Sequence, residues 1–66
     1  MKTSRDKKGM LLMVGDPVAV PTPSQTDTHS QEFVGSVVEF GDDDIVTVAD
    51  QSGNCFDIEA YRLEVA

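Results

Sequence analysis

Three runs rich in β-branched and aromatic residues follow one another with only turn clusters between them. They are EFVGSVVEF (residues 32 to 40), IVTVA (45 to 49) and CFDI (55 to 58), separated by GDDD and DQSGN. Each run is shorter than the 10–12 or so residues of a helix, and none repeats apolar residues at i, i+3, i+4 and i+7. Strands recurring every 8–12 residues or so, with turn signals between, describe an all-β barrel or sandwich. Upstream, Gly15-Asp16-Pro17 is a turn signal leading into a short extended run, Val18-Ala19-Val20, which Pro21 and Pro23 stop. Downstream, EAYR is long enough for one helical turn, and LEV closes as a last strand. Gly35 inside the longest run marks a bulge or bend.

Size limits what such a ladder can build. Sixty-six residues make one domain at most. A core of that size supplies about 3–5 kcal/mol of net stability, with little room for a supported active-site pocket. The expectation is a non-enzymatic protein without cofactor or metal. Cys55 is the only cysteine and His29 the only histidine, so neither a disulfide nor a tetrahedral zinc site can close within the chain. The apolar stretch Met10–Val14 is shorter than a signal-peptide core, and nothing approaches a membrane span. A cytoplasmic protein with no membrane contact is expected.

Charge is divided unevenly. The net value is −7, yet residues 1 to 8 hold Lys2, Arg5, Lys7 and Lys8 against Asp6, and after Gly9 the only basic side chain is Arg62. Residues 1–13 read as a flexible basic and apolar N-terminal tail, disordered at its start, with GMLLM as a first strand or a loosely docked apolar plug. Residues 14–66 read as the folded domain. Its acidic body repels nucleic acid, whose binding rests on lysine and arginine contacts to phosphates.

The order of elements resembles the SH3-like small barrel in its Tudor and KOW variants. The resemblance is carried by VGDPVAV and by GSVVEFGDDDIVTVADQSGNCFDIEAYRLEV, within residues 14 to 65. Its marks are Gly15-Asp16, Val18, Val20, Gly35, Val37, Val46, Val48, Asp50, Gly53, Phe56 and Leu63. The chain is also similar to small bacterial or phage proteins of this type. The resemblance implies a barrel of about five short strands with a helical turn before the last, and says little about task, because such barrels host many. The expected core is Val18, Val20, Val37, Val46, Val48, Phe56, Ile58 and Leu63.

Candidate chemistry is sparse. Asp42-Asp43-Asp44 lacks the alternating acids, the sixth-position glycine and the closing glutamate of a calcium loop, so it reads as a solvated hairpin tip. His29 lies in the polar loop TPSQTDTHSQ and reads as solvent-exposed; Cys55 reads as a small buried hydrophobe. A methyl-lysine cage of the Tudor kind needs several aromatic faces, and the chain has only Phe33, Phe40, Phe56 and Tyr61 for cage and core together. The expected function is a protein-interaction module, monomeric or weakly homo-oligomeric, that binds a basic or amide-rich protein partner. Its expected surface comprises Asp27 and His29 in the long loop, the hairpin residues Asp42, Asp43 and Asp44, and Tyr61. Two alternatives are a KOW-like accessory of nucleic acid or the ribosome acting through the basic tail, and a structural or assembly subunit.

Overall fold

The computed structural model describes residues 4–23, 29 and 31–66. Among them, five strands run in the order Pro17–Val20 (β1), Phe33–Phe40 (β2), Ile45–Ala49 (β3), Cys55–Glu59 (β4) and Glu64–Val65 (β5). A single 3₁₀ turn, Ala60–Arg62, stands between β4 and β5. All pairings are antiparallel, and the strands form one sheet ordered β4-β3-β2-β1-β5. The all-β reading, with its helical turn before the last strand, holds. The expected closure does not: β4 and β5 are the two edges of an open sheet, not neighbours in a barrel. With only two residues, β5 is too short to carry a second ladder.

Alternation assigns the faces. Val18 and Val20 on β1, Val37 on β2, Val46 and Val48 on β3 and Ile58 on β4 are all buried on the inner face. Ala60 of the 3₁₀ turn and Leu63 just after it complete this wall. Seven of the eight expected core residues are therefore buried, while Phe56 is only half-buried and packs against the cluster from its rim. Leu12, absent from that expectation, is 1% exposed and belongs to the core.

Leu12 overturns the flexible tail from Ser4 onward, while residues 1–3 lie outside the described residues. Residues 4 to 13 form an arm that folds back on itself and docks at the β5 edge. Arg5 bridges Leu11, and the Leu12 amide donates to the Ser4 carbonyl (2.9 Å). The Lys7 amide donates to Leu63 (2.9 Å). Asp6 fastens both turn and edge: its Oδ1 accepts the amides of Lys8 (2.9 Å) and Met10 (2.7 Å), and its Oδ2 accepts that of Val65 (3.0 Å). A buried carboxylate needs such donors, and here all three are backbone N–H groups.

The β2 irregularity also differs from expectation. The register shifts between Val37 and Glu39, so Val38 is the extra residue of a bulge and both Val38 and Glu39 are exposed. Gly35 instead marks a close approach. A Cβ there would stand 2.3 Å from the Ala49 carbonyl oxygen and 2.9 Å from Cε2 of Phe33.

Candidate interaction surface

The β2–β3 hairpin turns at Asp43 and Asp44, which both take positive φ (58° and 60°). Two such residues in succession mark a primed hairpin turn, and aspartate tolerates this backbone better than most non-glycine residues. The Ile45 amide closes the turn on the Asp42 carbonyl (3.1 Å). Asp44 Oδ1 accepts the Ser4 hydroxyl (3.1 Å), and its carbonyl accepts the Ala60 amide (2.8 Å). The aspartate cluster is thus a hairpin tip tied to the arm and to the 3₁₀ turn. Among the described residues no group of three or more His, Cys, Asp or Glu is placed to hold a metal ion.

Tyr61 follows Ala60 directly and is 64% exposed, so the structure brings it to the same end of the sheet as Asp42, Asp43 and Asp44. His29 lies elsewhere and is not solvent-exposed; it is 5% exposed. Its ring makes edge contacts with Phe33 (5.7 Å) and Phe56 (5.9 Å), and Nε2–H donates to the Pro21 carbonyl (2.9 Å). Nδ1 has no partner among the described residues. One satisfied nitrogen and two aromatic neighbours explain why a polar loop residue is taken inside. Asp27 lies outside the described residues.

Sequence reasoning missed the outer face of the sheet. Val34, Ser36, Val38 and Glu39 of β2 point outward, as do Cys55 and Asp57 of β4. Cys55 is exposed, contrary to the expectation of burial. The signal was present in CFDI: with Phe56 and Ile58 inward, period 2 turns Cys55 and Asp57 outward. Across the middle of this face, Glu39 pairs with Thr47 and Thr47 with Asp57. The Thr47 hydroxyl donates to Asp57 Oδ1 (2.7 Å). Small and apolar side chains therefore lie among exposed acids.

The cations are placed differently. Lys7 (3.3 Å) and Lys8 (2.6 Å) both pair with Glu64, and Arg62 pairs with Glu59 (3.0 Å). The Lys8 hydrogen bond holds the Glu64 carboxyl below its ordinary range, and Glu64 in turn raises Lys8. The Arg5 guanidinium donates to the Gly9 carbonyl (2.8 Å). No helix among the described residues is long and apolar enough to cross a membrane.

These features define an all-β chain with one open five-stranded sheet, a docked N-terminal arm and an outer face on which exposed acids cross from β2 to β4. Compared with family models, with curated proteins and with solved structures, the chain matches none of them.

Proposed function

We propose that this chain is a small non-enzymatic interaction module of SH3-like kind, which binds a basic or amide-rich protein partner through its acidic surface. One observation carries the reading. The outer face sets Glu39 and Asp57 among small and apolar side chains, while Lys7, Lys8 and Arg62 are each paired with a carboxylate of the same chain. Exposed carboxylates set among small and apolar side chains favour a partner of the opposite sign and speed its encounter. The Asp42–Asp44 tip and Tyr61 extend the surface at one end of the sheet. The element order supports the SH3-like resemblance, and the exposed free thiol of Cys55 fits a reducing, cytoplasmic setting.

The nucleic-acid alternative draws less support, because two of its cations, Lys7 and Lys8, are spent on Glu64. Titrating labelled protein with an oligolysine peptide, and separately with a single-stranded oligonucleotide, separates the readings. Amide shifts at Val38, Glu39 and Asp57 with oligolysine, weakening as salt rises, are the expected result. Shifts confined to residues 2–8 with the oligonucleotide, and none with oligolysine, would overturn it.

A further inference from the structure

The two edges of the sheet are not equivalent. The β5 edge is covered by the arm through the Lys7–Leu63 and Val65–Asp6 hydrogen bonds. The β4 edge has no such cover among the described residues. An uncovered edge presents backbone donors and acceptors to any extended chain that reaches it.

The β3–β4 turn fixes which groups those are. The Asp50 amide donates to the Asn54 carbonyl (2.8 Å) and the Gly53 amide to the Asp50 carbonyl (3.1 Å), while the Asn54 amide donates to Asp50 Oδ1 (2.9 Å), so Asp50 and Asn54 stand at a hydrogen-bonded position of the ladder, bulged at a glycine with φ 88°. Hydrogen-bonded and non-hydrogen-bonded pairs alternate along an antiparallel ladder. Val48–Phe56 and Val46–Ile58 are then the bonded pairs, and Ala49–Cys55 and Thr47–Asp57 are not. The N–H and C=O groups of Cys55 and Asp57 consequently point away from β3, into the open edge. The side chains of the same two residues are exposed on the outer face.

We infer that the β4 edge accepts an extended segment of a partner protein carrying lysine or arginine at alternate positions, one of them opposite Asp57. This rests on the acidic-surface reading above and gives it an address and a code. An added strand places alternate side chains on the outer face, where Asp57 and Glu59 stand on β4. Glu59 is already held by Arg62, so Asp57 is the carboxylate that selects. Side chains between the basic positions face inward toward half-buried Phe56 and are apolar. A second copy of this chain is disfavoured in the register centred on Asp57. Two β4 strands meeting about a two-fold axis through Asp57 set Asp57 against Asp57, and directly opposed like charges are unfavourable in a ladder.

The test uses the full chain, isotope-labelled, with three synthetic peptides. One alternates lysine and valine; one alternates glutamate and valine; one is the lysine peptide N-methylated on the amides that would face β4. The lysine peptide is expected to slow amide exchange at Cys55 and Asp57 and to give cross-strand contacts to them, and the other two peptides to do neither. Asp57→Lys should weaken the lysine peptide by about two- to fivefold and admit the glutamate peptide. Should Asp57→Lys fail to fold, Asp57→Asn gives the same loss without the gain. Lysine-peptide binding that leaves the Cys55 and Asp57 amides unchanged, or that survives N-methylation, overturns strand addition and leaves the acidic-surface reading standing. Equal binding of the glutamate peptide overturns the basic code, and no binding of any peptide overturns both.

Discussion

Leu12→Ala separates a docked arm from a flexible tail more sharply than any other change. Leu12 is 1% exposed and packs in the same cluster as Val37 and Leu63. The substitution deletes three side-chain carbons. Transfer alone costs roughly 2.4 kcal/mol at about 0.8 kcal/mol per buried carbon, and the cavity left behind brings the total to about 3–5 kcal/mol. The net stability expected of a chain this size is also about 3–5 kcal/mol. The variant should therefore be largely unfolded at 25 °C, or should melt roughly 10–20 °C lower if the site collapses and the loss is nearer 2.5 kcal/mol. Urea unfolding followed by circular dichroism measures the loss, with Met13→Ala as a matched control. Met13 is 62% exposed, so its truncation should stay within about 0.5 kcal/mol of the parent. Equal unfolding midpoints for the two variants would refute the docked arm and restore a tail.

Three further outcomes follow from other features. Gly35→Ala forces a Cβ against the Ala49 carbonyl and should cost about 1–3 kcal/mol as β2 and β3 part, measured as a shift in urea midpoint. Asp6 is held below its ordinary value of 3.8, chiefly by the Val65 amide and then by those of Met10 and Lys8. A lowered folded value means stability that is present above the ordinary value and is lost as pH falls through the folded one. The Val65 amide should therefore lose exchange protection on acidification below pH 3.8, and Asp6→Asn should remove that dependence. Cys55 should react fully with a colorimetric thiol reagent in native buffer, whereas a buried thiol would react only on unfolding.

The strands were legible because their alternation and turn chemistry agree. IVTVA between two turn clusters admits one pairing on each side, and Val46 and Val48 then face inward together. The hairpin tip at Asp42–Asp44 was legible for the same reason. Leu12 was not, because MLLMV has no period. Leu12 is buried while Met10, Leu11, Met13 and Val14 are exposed, and only the arm's fold chooses among them. Asp6 was read as one charge in a basic tail, since its partner Val65 is 59 residues away. Barrel closure was over-read: β5 holds only Glu64 and Val65, too few to pair along a second edge. His29 was misplaced because local polarity does not reveal that two phenylalanine rings and a carbonyl enclose it.

The bond between Asp6 and Val65 has a kinetic consequence. The β2–β3 and β3–β4 hairpins close over a handful of residues, whereas the arm meets β5 across 59. Closing a loop of that length costs about 1.5 kcal/mol more chain entropy than closing one of ten, before any contact offsets it. The hairpins should therefore form early and the clasp between arm and β5 late. Contacts made after the transition state govern how fast a protein comes apart. Weakening the clasp at Asp6 should leave the folding rate nearly unchanged and speed unfolding, so that the lifetime of the folded chain is set where its two ends meet.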